Sequence, residues 1–236
     1  VNSTANLDHK EVEKFSAIST QWWDLDGPCA PLHILNPARL KFIQQHAKLE
    51  NKTVLDVGCG AGILSESLAQ HGAAVVGIDA SNELIVAARA HAEQSKLNIN
   101  YAAITLEDYL AIEDRKFDVI TCMELIEHVP DPIKLINDCA YALKPGGKLF
   151  ISTLNRTAKA YAFAIFAAEL VLKVLPKNTH DYKKFIQPAE MAEMLRNANM
   201  RLTNLQGVKY QHFTKSAKLH DDLSVNYMAC AIKEEN

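Results

Sequence analysis

The segment Val54-Leu55-Asp56-Val57-Gly58-Cys59-Gly60-Ala61-Gly62 constrains this chain more than any other. It runs off a short apolar strand into a helix, and its glycines let the backbone turn tightly and approach a ligand closely. A lone G-x-G is weak evidence; one between a buried strand and a helix carries more. Around it, apolar runs alternate with helical periods. Strands are expected at Thr53–Val57, Ala74–Ile78, Ile99–Ala103, Phe117–Cys122 and Lys148–Leu154, the last entered through a turn at Pro145-Gly146-Gly147. Helices are expected at Ile63–His71, Glu83–Leu97, Pro132–Leu143 and Pro188–Asn199. Leu202–Val208 and Val225–Ile232 read as two more strands, separated by a polar loop, Lys209–Ser224. Such alternation implies βαβ units and a parallel sheet. Upstream, Val12, Phe15, Ile18 and Trp22 recur at helical spacing, and Asn36 with Pro37 is expected to open a second helix.

The turn has an acidic partner. Asp79 ends the next strand, 21 residues after Gly58, where a carboxylate can accept both hydroxyls of a ribose. A dinucleotide turn reads G-x-G-x-x-G, but the third glycine position counted from Gly58 is Ile63. The pattern here is D-x-G-x-G-x-G. Asp56 lies inside the strand, badly placed for a pyrophosphate and well placed to brace the turn and approach an ammonium. The spacing therefore favours S-adenosylmethionine, which carries an ammonium, a carboxylate and a sulfonium but no phosphate, with Asp56, Gly58, Gly60 and Asp79 around it. An NAD(P)-dependent oxidoreductase is the competing reading, and the spacing opposes it.

Composition narrows the partners. A net charge of −3 gives no electrostatic reason to bind nucleic acid. The five cysteines are odd in number and dispersed, with no C-x-x-C pair, which fits reduced thiols and a cytoplasmic location. The polar N-terminal stretch lacks the apolar region of a secretory signal, and no run of 18 apolar residues suggests a spanning helix.

Asp56–Gly62, Asp79 and Phe117–Cys122 resemble the class I S-adenosylmethionine-dependent methyltransferases. The resemblance implies an α/β fold: a Rossmann-like, doubly wound, seven-stranded sheet, mostly parallel with its last strand antiparallel, here with N-terminal helices and a helical insertion. It implies a single domain over 1–236, made of a helical lid (1–50), a cofactor-binding core (51–154), an insertion (155–187) and the end of the sheet (188–236). The Asn/Asp-Pro-Pro-aromatic motif usual in enzymes that methylate nucleobase amines is absent after the fourth strand. Motifs outside the shared core are more specific. Trp22-Trp23-Asp24, Pro31-Leu32-His33, Asn36-Pro37-Ala38-Arg39-Leu40, Glu127-His128-Val129-Pro130-Asp131-Pro132, Ser152-Thr153-Leu154-Asn155-Arg156, Thr179-His180-Asp181 and Val225-Asn226-Tyr227-Met228 resemble the bacterial ubiquinone-biosynthesis O-methyltransferases. That family methylates ring hydroxyls of polyprenyl-hydroxyphenol or catechol intermediates and of demethylubiquinol. By resemblance, Arg39, Gly58, Asp79 and Met123 contact the cofactor, S-adenosylhomocysteine is its product, and a polyprenylated phenol or quinol is the substrate. A complex with other enzymes of ubiquinone biosynthesis is a further expectation. Another small-molecule methyltransferase of the same fold is the alternative.

Methylating a phenol requires a phenolate, because the neutral group titrates near pH 10. Two devices fit the segment after the fourth strand. His128 could be a general base. Alternatively Glu124, Glu127 and His128, on one face at helical spacing, could hold Mg2+ and lower the acceptor's pKa; a purely structural role for Glu127 and His128 is the third reading.

Residues 155–187 interrupt the α/β rhythm. Ala160–Leu175 has 14 apolar residues in 16; as a helix it would be about 24 Å long, short of the ~30 Å hydrocarbon core. The insertion carries net +4 in a chain of −3. An apolar helix flanked by basic residues can lie in a membrane interface or cover a greasy substrate. Peripheral contact with the inner face of the cell membrane is thus one expectation, and an ordinary buried cap is the other.

Overall fold

The computed structural model describes residues 6–162, 182–211 and 214–235. Its strands are β1 (Thr53–Val57), β2 (Ala74–Asp79), β3 (Asn100–Ala103), β4 (Phe117–Met123), β5 (Leu143–Leu154), β6 (Met200–Gln211), β7 (Ser216–His220) and β8 (Asn226–Lys233). Its helices are α1 (His9–Ser16), α2 (Ala30–His46), α3 (Ile63–Gln70), α4 (Asn82–Gln94), α5 (Leu106–Ile112), α6 (Pro132–Ala142) and α7 (Pro188–Asn197). The strands form one sheet in the order β3-β2-β1-β4-β5-β8-β6-β7. β1 to β5 are mutually parallel; β8 is antiparallel to both β5 and β6, and β7 is antiparallel to β6.

The α/β class stands as expected, but among the described residues the sheet has eight strands, not seven. The extra strand arises where a polar loop was expected. β6 runs on to Gln211 and pairs Val208 with Leu219 and Tyr210 with Ala217. Ala217 and Leu219 pack against the α2 side of the core, while Lys209 and Lys218 alternate with them and mask the pattern. The expected turn at Pro145–Gly147 is an irregularity inside β5, where the register against β4 jumps from Phe117↔Leu143 to Val119↔Lys148.

The helices differ most at α2 and α5. α2 starts at Ala30 and continues through Pro37. Losing a helical hydrogen bond at an interior proline costs about 3 kcal/mol, and burial of Ala38, Phe42 and Ile43 offsets it. Asn36 does not cap: its amide donates to Ser67 Oγ at 2.8 Å and bolts α2 to α3. α5 was not foreseen, although Thr105 caps it by accepting from the Asp108 N–H.

Side-chain alternation divides the core between the two faces of the sheet. Leu55, Val57, Ile120, Cys122, Leu149 and Ile151 pack with residues of α6 and α7. Val54, Val119, Met123, Phe150 and Met228 pack with Ala38, Phe42, Leu64 and Leu68 of α2 and α3. The carboxyl ends of β1, β2, β4 and β5 open on one side, where α1 and the start of α2 cover them. The expected apolar helix Ala160–Leu175 lies almost wholly outside the described residues. Among those residues, no helix is long and apolar enough to cross a membrane.

Candidate active site

A cavity of about 430 Å³ opens at the carboxyl ends of the strands, and Arg39, Asp56, Gly58, Gly60, Asp79, Met123, Glu124, Glu127 and His128 all line it. Every candidate residue is thus brought to one place, with different roles.

The glycine turn forms the floor. Gly58, Gly60 and Gly62 have φ of +68°, +55° and +89°, a region costly for any residue with a Cβ. The space is closed as well. A Cβ on Gly60 would lie 2.6 Å from the Trp22 ring, and one on Gly58 would lie 2.9 Å from Leu125. Trp22 is buried against the turn, and the Trp23 indole N–H donates to the Ala61 carbonyl at 3.0 Å. Trp23 also stacks on His91, with ring centroids 3.3 Å apart.

Asp79 accepts from the Gly60 N–H and the Ser81 N–H, both at 2.9 Å, so it fixes the turn while facing the cavity. Burial pushes its carboxyl above the ordinary aspartate value, against these hydrogen bonds. Asp56 is more deeply enclosed. One oxygen accepts from Ser65 and the other from Thr121, each at 2.6 Å. Burial raises its pKa, and the two hydroxyls oppose the rise. Asp56 thus ties β1 to α3 and β4, which favours the bracing reading over direct contact with an ammonium. Ser65 and Thr121 were not singled out from the sequence; Thr121 shows only once β4 is set in register opposite Asp56.

Arg39 is not a surface arginine: it is 6% exposed. One terminal nitrogen donates to Glu124 at 2.5 Å, and its Nε has no partner among the described residues. A buried guanidinium that lines a cavity and keeps an unpaired donor suits a carboxylate ligand. Glu124 sits just past β4 with φ of +54°, a strained backbone held by its N–H donating to the Ser152 carbonyl.

Glu124, Glu127 and His128 do not share a face. Ile126–His128 is a single 3-10 turn, and the three side chains diverge. Glu124 pairs with Arg39, Glu127 accepts from the Thr153 hydroxyl at 3.0 Å, and His128 Nδ1 meets Glu11 at 2.9 Å. Among the described residues, no group of three or more His, Cys, Asp or Glu is arranged to hold a metal ion. The expected Mg2+ set gains no support from this arrangement, in which each of the three side chains has a different hydrogen-bond neighbour.

His128 instead forms a dyad with Glu11, a residue of α1 that sequence reasoning missed. The two are 117 positions apart, and no local pattern links them. Phe15 sets its ring edge against the imidazole at 5.3 Å. Burial disfavours the charged imidazolium, but the Glu11 hydrogen bond and the charges of Glu127 and Glu11 outweigh it, so the His128 pKa is raised. The hydrogen bond to His128 holds the Glu11 carboxyl down at about 2. An ionised Glu11 fixes the proton on Nδ1, which makes Nε2 the nitrogen that titrates.

Comparison with known proteins adds the family. A family model described as a methyltransferase domain matches residues 33–205. The ubiquinone biosynthesis O-methyltransferase of Coxiella burnetii (strain RSA 493 / Nine Mile phase I) is 50% identical over 232 residues, covering 98% of this chain and 99% of that one. The chain belongs to the ubiquinone biosynthesis O-methyltransferase family. The Xanthomonas euvesicatoria pv. vesicatoria (strain 85-10) member is 48% identical over 230 residues, 98% of this chain and 96% of its own. Among solved structures, the magnesium protoporphyrin IX methyltransferase of Synechocystis PCC 6803 with bound SAM shares this methyltransferase's fold, with a TM-score of 0.67 at 18% identity over 98% of this chain and 100% of the other.

Proposed function

We propose that this chain transfers the methyl group of S-adenosylmethionine to ring hydroxyls of polyprenyl-hydroxyphenol or catechol intermediates and of demethylubiquinol. The observation that carries the cofactor half is the buried Arg39, which lines the same cavity as the glycine turn and Asp79 and whose Nε has no partner among the described residues. Near-50% identity along almost the whole chain supports the acceptor class. When bound, S-adenosylmethionine supplies an electrophilic methyl group on its sulfonium; the new O–C bond forms as the C–S bond breaks, and S-adenosylhomocysteine is left.

The chain's residues supply binding, alignment and proton removal. Arg39 takes the cofactor carboxylate and Asp79 its ribose hydroxyls, while Gly58 and Gly60 let the backbone close on it and Met123 packs beside it. His128, with Nδ1–H held by Glu11, accepts the phenolic proton at Nε2. The first fifty residues act as the lid, with α1 contributing Glu11 and the following segment Trp22. The decisive experiment is methyl transfer to a short-chain demethylubiquinol analogue, with S-adenosylhomocysteine and NADH titrated calorimetrically in parallel. Methylation and binding of S-adenosylhomocysteine alone are expected; binding of NADH alone would overturn the reading.

Segment 155–187 is the part we assign to the polyprenyl tail and to reversible membrane contact, its apolar run and basic excess being the support. Lipid vesicles containing anionic lipid should float the protein, and Lys→Glu changes at 173, 177, 183 and 184 should reduce recovery. Equal recovery counts against contact through this segment.

A further inference from the structure

Around the cavity, the buried hydroxyls of Ser65, Thr121 and Thr153 each donate to a carboxylate. Ser152 is different. It is 5% exposed and lines the cavity, and its Oγ has no hydrogen-bond partner among the described residues. A buried hydroxyl without a partner is costly and calls for an explanation, and one that lines a cavity has a ligand as the natural candidate.

Strand geometry gives its direction. Successive residues of β5 face opposite sides of the sheet: Thr153 faces Glu127, and Ser152 faces the side covered by α2. There Ser152 stands in register with Met123 on β4 and Met228 on β8. Both methionines line the cavity. Ser152 is one strand spacing, about 4.8 Å, beyond Met123, on the side away from the glycine turn. Its hydroxyl thus sits in a slot walled by two thioethers. Thioethers pack favourably on aromatic rings, and a serine hydroxyl can both donate and accept.

We infer that Ser152 is a specificity-determining residue: its Oγ hydrogen-bonds a second ring oxygen of the aromatic acceptor, next to the one that is methylated, while the ring lies between Met123 and Met228. This rests on the phenol-methylating reading above.

The test uses the full chain and two short-chain acceptors, a catechol and the matching monophenol that lacks the neighbouring oxygen. The unsubstituted enzyme should prefer the catechol by about tenfold or more in kcat/KM, since a site built to bond an oxygen rejects the analogue without it. Ser152→Ala should lose about tenfold on the catechol, chiefly through KM, and less than about twofold on the monophenol, so that the preference collapses. Unchanged S-adenosylhomocysteine affinity shows that the variant is folded. Equal losses on both acceptors, or a retained preference, overturn the proposal. Ser152→Cys, close in volume and a weak donor, should reproduce the collapse; a retained preference there overturns the proposal even if the alanine variant does not fold. An unsubstituted enzyme that binds S-adenosylhomocysteine but methylates neither acceptor overturns the phenol reading itself.

Discussion

The two halves of the cavity are built differently. On the cofactor side, polar groups satisfy one another over short sequence distances: Asp56 with Ser65, and Asp79 with Gly60 and Ser81. On the acceptor side, contacts join segments further apart, Glu11 to His128 and Glu127 to Thr153, and the buried Ser152 hydroxyl has no partner among the described residues. The first half closes its hydrogen bonds within the protein itself. The second is completed by whatever binds, and its geometry depends on how α1 and α2 dock over the sheet.

The sharpest way to break this contrast is at His128. His128→Ala is expected to lower kcat by about 10²–10⁴, the usual worth of a positioned base, while S-adenosylhomocysteine affinity stays within about threefold. Unchanged turnover would remove the dyad from the mechanism. Enzyme dialysed against chelator should retain its turnover without added magnesium.

Gly60→Ala attacks the other half. A Cβ there enters the Trp22 ring at a positive φ, so S-adenosylhomocysteine affinity should fall by about 10- to 100-fold, the equivalent of 1–3 kcal/mol of strain. Calorimetry reads this directly, and an affinity like that of the unsubstituted enzyme would show that Trp22 is free to move off the turn.

Asp56→Asn should act on stability before binding. The new amide is a donor facing the Ser65 and Thr121 hydroxyls, so about 1–3 kcal/mol is expected to be lost, read as a lower chemical-denaturation midpoint. An equal or higher midpoint would mean that Asp56 is not the brace described.

Glu11→Gln should give the smallest and most specific effect. The raised His128 pKa means that the active, neutral imidazole appears only as pH climbs past the ordinary histidine value of 6.5. Removing the Glu11 charge should move the acidic limb of kcat to lower pH, with a plateau lowered about tenfold or less. The linked stability has a defined window. The Glu11 contribution is complete above pH 4.5 and is lost as pH falls through about 2. The His128 contribution is complete below pH 6.5 and is lost as pH rises through its raised folded value. Docking of α1, followed by hydrogen exchange, should therefore be tightest between these limits in the unsubstituted protein and show a flatter profile in Glu11→Gln.

The cofactor half was legible in the chain because its signals are local. A strand, a glycine turn, a helix and an acidic residue at the end of the next strand lie within one βαβ unit, and periodicity places them without long-range information. The same locality made β1 to β5 readable, and the alternation of lysines with apolar residues is why β7 was read as loop. What only the tertiary structure decided is who meets whom across the sheet: that Glu124, Glu127 and His128 part toward Arg39, Thr153 and Glu11, that Arg39 is buried, and that Ser152 lines the cavity with its hydroxyl unpaired among the described residues. Those outcomes depend on strand register and on the docking of α1 and α2. Register and docking are set by the packing of side chains far apart in sequence, which no local pattern encodes.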